Sequence, residues 1–210
     1  MIKQLKLCLV TDKYDSRFIQ DAIAGGVTCI QYRDKAKNID ELFSAAQCLK
    51  ILLSPHKIPL IINDNVELAK LVDADGVHLG QSDLSISVDT ARKLLGPTKI
   101  IGLSIENLAQ LEEANQLNSI NYVAASALFP TPSKTNCKNY WGLEGLKQFV
   151  HISKHPVITI GGINISNINS VMQCGVIGVA VISAIQDSPN TKHAAQDLIC
   201  QINTGENYAR

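Results

Sequence analysis

A chain of 210 residues with 46% hydrophobic content and 18% charge has the size and apolar fraction of one globular domain with a continuous core, which excludes a disordered or fibrous protein. Lysine plus arginine total 19 and aspartate plus glutamate total 19, so the formal net charge is zero. That balance argues against nucleic acid or an anionic membrane as the main partner, since both select a basic face, and leaves room for a local basic pocket that takes a small anion.

The amino terminus holds only a short apolar run before Asp12, too short for a secretory signal or a spanning helix, and the reading is a cytoplasmic protein. Six cysteines are scattered with no C-x-x-C pair and no zinc spacing, which reads as reduced thiols. From there, apolar runs rich in β-branched residues alternate with stretches of helical period. The run at 5–11 precedes a helix over 17–24, and 28–32 precedes 39–53. The pattern repeats at 59–63 with 65–72, 76–79 with 88–95, and 99–103 with 106–117. It closes at 121–125 with 143–151, 156–160 with 166–173, and 178–182 with 191–202. Strands that are apolar throughout belong to a parallel sheet covered on both faces. Eight such units of about 26 residues predict a small α/β fold of the closed (β/α)8 TIM-barrel type, forming a single domain over 1–210. The structural alternative is an open doubly wound sheet, which usually has five or six strands.

In a barrel, chemistry belongs to the carboxyl ends of the strands and the loops after them. This rule selects Gln31, Arg33 and Lys35, which alternate on one side of an extended segment and suit a phosphate or pyrophosphate, the alternative being a solvated loop at the barrel rim with Asp34 and Lys37 as further surface charges. Asp64 and Asp83 follow neighbouring strands, within reach of one ion in the oxygen-donor pattern of magnesium, although Asp-rich loops are common and two aspartates alone do not define a metal site. Gly161-Gly162 and Ile182-Ser183 follow the last two strands, where barrels hold a phosphate on backbone amides. The loop Thr131-Pro132-Ser133-Lys134 adds two hydroxyls and a cation, and its length suits a lid. His78, inside an apolar strand, reads as a hydrogen-bonded core residue.

Gln31-Tyr32-Arg33-Asp34-Lys35, Ile62-Asn63-Asp64, the segment Gly76 to Asp83, Gly102-Leu103-Ser104, Phe129 to Lys134, Gly142 to Leu146, Gly161-Gly162-Ile163 and Val181 to Ile185 occur in order at matching spacing. With these motifs the chain resembles the thiamine phosphate synthase family over almost its whole length. The family joins 4-amino-2-methyl-5-pyrimidinylmethyl diphosphate to 4-methyl-5-(2-phosphoethyl)thiazole, releasing pyrophosphate. The resemblance implies that Gln31, Tyr32, Arg33, Asp34, Lys35, Asn63, Ser104 and Lys134 bind the pyrimidine diphosphate. It implies Mg2+ on Asp64 and Asp83, and thiazole phosphate on Thr131, Pro132, Ser133, Gly162, Ile182 and Ser183. Arg33, Lys35, Ser104 and Lys134 would carry catalysis by steadying the departing charge, so no enzyme nucleophile is needed. Where the family generally has a glycine-containing segment, this chain reads Ala124-Ala125-Ser126-Ala127, so side chains at Ser126 and Ala127 are expected to narrow the pocket. Two other readings share the fold: a thiazole tautomerase, and a non-catalytic regulatory barrel that binds a thiamine-related phosphate. The partners implied are small-molecule substrates, with no signal for an oligomeric state.

Overall fold

The computed structural model describes residues 2–80, 86–131 and 139–206. In chain order the elements are β1 (Leu7–Thr11), α1 (Ser16–Ala24), β2 (Cys29–Tyr32), α2 (Ile39–Leu53), β3 (Leu60–Asn63), α3 (Val66–Leu71), β4 (Gly76–Leu79) and α4 (Val88–Leu95). They continue with β5 (Ile100–Ile105), α5 (Leu108–Ala114), β6 (Tyr122–Ser126), α6 (Gly142–Ile152), β7 (Val157–Ile160), α7 (Ile168–Met172), β8 (Gly178–Val181), α8 (Ser183–Gln186) and α9 (Thr191–Glu206). Each strand pairs in parallel with the next, and β8 returns to pair with β1, closing a barrel. The open-sheet alternative is thereby excluded.

The two faces of each strand enter different cores, because successive side chains point to opposite sides. In β1, Leu7 and Leu9 pack outward among the helices, while Cys8 and Val10 join Cys29, Ile61, Ile100, Tyr122, Ile158 and Ala180 inside the barrel. Both faces are apolar, which is why the strands read as unbroken hydrophobic runs. Asp15, Asn38, Asn65, Ser87 and Asn107 cap helices α1 to α5 by accepting from amides of the first turn. Asn38 and Glu41 complete a reciprocal capping box. At the amino-terminal end of the barrel, the Arg92 guanidinium donates to the carbonyls of Gly96, Lys99 and Ser119 and to the Asn121 side chain, tying two loops together. No helix among the described residues is long and apolar enough to cross a membrane.

Several elements depart from the expected pattern. Helix α5 ends at Ala114, short of the expected 117, and α9 runs to Glu206, past the expected 202, because helical period does not fix where a helix stops. β5 runs two residues past the expected 103, through Ser104 to Ile105, since a polar residue can end a strand that still pairs with its neighbours. The short helix α8 follows β8 directly and is too brief to show a helical period in sequence.

Candidate active site

An open-mouthed cavity occupies the carboxyl end of the barrel, its atom-free space of about 1040 Å³ including the open solvent at its mouth. Strand β2 enters it with Gln31, and the same alternation carries Arg33 and Lys35 to the cavity wall. The Arg33 amide donates to the Thr11 carbonyl at 2.9 Å, extending the sheet ladder past the last residue of β2. Tyr32 and Asp34, the intervening residues of the expected binding run, face elsewhere. Tyr32 is 1% exposed in the outer core. Its hydroxyl has no hydrogen-bond partner among the described residues, and burial pushes its pKa from 10.0 to about 12. Asp34 accepts from the Ala36 amide and pairs with Lys37. Burial pushes its carboxyl up, but these hydrogen bonds outweigh that and hold it below the ordinary value. The run 31–35 thus splits by strand period into three cavity residues and two that are not part of the lining.

Strands β3 and β4 supply Asn63, Asp64, His78 and Gly80 to the lining. Asp64 adopts φ +60, a left-handed conformation that aspartate tolerates better than most side chains. Its amide donates to the His78 carbonyl at 2.8 Å, and its Oδ1 accepts from the Gly80 amide at 2.7 Å. The Asn63 side-chain amide donates to Oδ2. These contacts hold a carboxylate at the cavity wall in a fixed orientation, a hard oxygen donor of the type magnesium takes. Asp83 lies outside the described residues, and among the described residues no group of three acidic, histidine or cysteine side chains gathers as a metal cluster.

Next along the wall, His78 is 6% exposed, with Nδ1 2.8 Å from the Tyr122 hydroxyl and Nε2 2.9 Å from Ser104 Oγ. It is hydrogen-bonded in the barrel interior, as its place in an apolar strand suggests, and it also lines the cavity. Glu106, one alternation beyond Ser104, lines it as well. The signal for Glu106 was present in the sequence as an acid two residues after a candidate site residue.

Strands β6 to β8 complete the circle with small or apolar groups: Ala124, Ser126, Ala127, Ile158, Ile160, Ala180 and Ile182. Ser126 and Ala127 do border the cavity. Thr131 lines it too, whereas Pro132, Ser133 and Lys134 lie outside the described residues. Gly161 and Gly162 have φ of +113 and +65. A Cβ on Gly162 would come within 2.8 Å of Phe129 Cβ and of the Pro130 carbonyl oxygen, so this turn packs directly beneath the loop that follows β6. Ser183 opens α8, which is anchored to β1: the Thr11 hydroxyl donates to Gln186 Oε1 at 2.6 Å, and Gln186 Nε2 donates to Asp12 at 3.0 Å. Gly162, Ile182 and Ser183 therefore meet at one side of the cavity.

A closed (β/α)8 barrel whose carboxyl end gathers cations, a fixed carboxylate and a glycine turn has the construction of a barrel enzyme. A model of the thiamine monophosphate synthase family matches residues 7–185. A thiamine-phosphate synthase of Vibrio campbellii is 46% identical over 199 residues, spanning 92% of this chain and 96% of that protein. One of Chlamydia caviae is 40% identical, spanning 92% of each. A solved thiamine phosphate pyrophosphorylase from Pyrococcus furiosus superposes with a TM-score of 0.88 at 33% identity, covering 98% of both chains. KGPDC from Streptococcus mutans shares the fold, with a TM-score of 0.69 at 15% identity over 97% of this chain and 99% of that one. The chain belongs to the thiamine monophosphate synthase family. It is a transferase of thiamine biosynthesis that forms thiamine phosphate.

Proposed function

We propose that this cavity condenses 4-amino-2-methyl-5-pyrimidinylmethyl diphosphate with 4-methyl-5-(2-phosphoethyl)thiazole by a dissociative path. The observation that carries the reading is the convergence of Gln31, Arg33 and Lys35 with Asn63 and Asp64 on one cavity that the turn of Gly162 and the pair Ile182-Ser183 also line. The first group suits a diphosphate. The second suits a phosphate monoester bound by backbone amides and the Ser183 hydroxyl.

The aminopyrimidine ring is electron-rich, so loss of pyrophosphate leaves a stabilised pyrimidinylmethyl cation that the thiazole nitrogen captures. Arg33 and Lys35 hold the diphosphate and stabilise the negative charge as it gathers on the leaving oxygens, with Lys134 assigned to the same task by the family resemblance. Ser104 and Asn63 hold the pyrimidine diphosphate, and Thr131, Pro132, Ser133, Gly162, Ile182 and Ser183 hold the thiazole phosphate. Asp64 and Asp83 would hold Mg2+, which when bound supplies positive charge to the diphosphate oxygens. The apolar walls from Ala124, Ile158, Ile160 and Ala180 keep water from the cation, and holding both partners in line lowers the entropic part of the barrier. No side chain has to act as a nucleophile. We also propose a cytoplasmic location, which suits the free thiols of Cys8, Cys29, Cys48, Cys174 and Cys200.

Incubation of the purified protein with both substrates and magnesium is expected to yield thiamine phosphate and pyrophosphate. A pyrimidine diphosphate with a trifluoromethyl group in place of the ring methyl is expected to bind and to turn over far more slowly. Equal rates for this analogue and the parent would overturn the cation.

A further inference from the structure

We propose that Tyr122 is a positioning residue that fixes the tautomer of His78, so that the Ser104 hydroxyl is presented to the pyrimidine diphosphate as a hydrogen-bond donor. The inference rests on the reading of Ser104 as a substrate-binding residue and goes beyond it by assigning the direction of every proton in the chain Tyr122, His78, Ser104.

Three neighbouring strands share one layer here: His78 on β4 is in register with Gly102 on β5, which is in register with Tyr122 on β6. Tyr122 reaches His78 by passing over the intervening strand, and Gly102 is what lets it pass. A Cβ at residue 102 would lie 2.1 Å from Tyr122 Cζ and 2.4 Å from its hydroxyl oxygen. A glycine inside a strand commonly marks such a close approach. The imidazole and phenol rings stack with centroids 5.5 Å apart and planes 27° from parallel.

The Tyr122 hydroxyl is enclosed in the barrel interior, and Tyr122 is 1% exposed. Its hydrogen-bond partner among the described residues is His78 Nδ1. Burial also pushes this phenol well above its ordinary range, so it keeps its proton. A buried hydroxyl that leaves its proton without an acceptor is costly, which directs the Tyr122 O–H at Nδ1. An Nδ1 that accepts carries no hydrogen, and the imidazole proton is then on Nε2. Nε2 faces Ser104 Oγ at 2.9 Å, so His78 donates and Ser104 accepts. With that lone pair engaged, the Ser104 proton turns away from His78, and Ser104 lies on the cavity wall. Ser104 thus offers a donor to an acceptor atom of the substrate. The opposite tautomer would make Ser104 spend its proton on His78.

Nitrogen-15 NMR of the free protein, with the His78 signal assigned by its loss in His78→Gln, is expected to show the proton on Nε2. A proton on Nδ1 would overturn the relay. In steady-state assays Tyr122→Phe is expected to lower kcat/KM for the pyrimidine diphosphate about tenfold, the scale of one hydrogen bond, with KM for the thiazole phosphate unchanged. In a Ser104→Ala background the same substitution is expected to cost nothing further, because its route to the substrate is gone. Additive losses, or equal losses for both substrates, would mean that Tyr122 only supports the fold and would overturn the proposal. A loss on Ser104→Ala with none on Tyr122→Phe overturns the relay and leaves the reading of Ser104 standing. No loss on Ser104→Ala overturns both.

Discussion

The two halves of the barrel mouth are built from different materials. Strands β2 to β5 present polar and charged side chains: Gln31, Arg33, Lys35, Asn63, Asp64, His78, Ser104 and Glu106. Strands β6 to β8 present alanines, isoleucines, a glycine turn and the start of a short helix. A ligand with much charge to neutralise is matched by the first half, and a ligand with an apolar ring and one phosphate by the second. The contrast teaches that in this fold the chemistry is divided around the circle as well as between its two ends. Among the described residues, substitutions in the first half should therefore act on the chemical step, and those in the second half on binding of one substrate.

Metal removal is expected to have the largest effect. EDTA should abolish turnover, magnesium should restore it, and Asp64→Ala should raise the magnesium concentration needed while circular dichroism stays that of the folded protein. Full activity in metal-free buffer would break the assignment of the charged half. Arg33→Ala and Lys35→Ala should each lower kcat by about 10²-fold or more, the scale of losing one preorganised electrostatic donor. A rise in KM with kcat unchanged would mean uniform binding in place of transition-state stabilisation.

In the lean half, Gly162→Asp is expected to weaken thiazole phosphate binding by about tenfold or more, as a carboxylate is set against an anion. Pyrimidine diphosphate binding should change little. Because Gly162 has φ +65 and stands against Phe129 and Pro130, any side chain there disturbs the turn. Gly162→Ala is the control that adds the strain without the charge, and the difference between the two variants isolates the electrostatic part. Titration calorimetry with each substrate separates the outcomes, and equal losses for both ligands would erase the division of the site.

Much of this arrangement was legible in the sequence. Unbroken β-branched runs revealed the strands because both faces of a barrel strand are buried, and their ends shift by only a residue or two in most cases. The three-donor spacing of Gln31, Arg33 and Lys35 follows from strand period alone. His78 was harder to place. An apolar strand shows that a residue is buried but not whether it points among the helices or into the barrel, and in β4 the inward side carries the site. Tyr122 gave no signal of its own either. Its link to His78 crosses a whole strand and depends on the missing side chain of Gly102, a relation between three segments far apart in sequence. Tyr32 and Asp34 were drawn into the binding run by resemblance, and the alternation of side chains leaves them out of the cavity lining.

Neighbouring residues of β2 provide the finest form of the comparison and the smallest expected effect. Gln31 faces the cavity, while Tyr32 faces the helices with a buried hydroxyl that lacks a partner among the described residues. Gln31→Ala should impair turnover. Tyr32→Phe should leave kcat and both KM values within about twofold and hold or raise stability, by up to about 1 kcal/mol, because an unsatisfied buried hydroxyl is a cost that phenylalanine avoids. The pH dependence sharpens the test. A folded pKa of about 12 against an ordinary 10.0 means that the folded state holds the Tyr32 proton more tightly than the unfolded state does. The stability from this difference is fully present below the unfolded value and is lost as pH rises from 10.0 to about 12. Tyr122, raised in the same direction by burial, adds to the same alkaline loss. Denaturant unfolding between pH 9 and 11, roughly the span over which a tyrosine begins to ionise, should therefore show a shallower decline for Tyr32→Phe than for the parent, with part of the slope remaining from Tyr122. An unchanged slope would mean that the Tyr32 hydroxyl is solvated in the folded protein, and a loss of turnover in Tyr32→Phe would return this residue to the binding site.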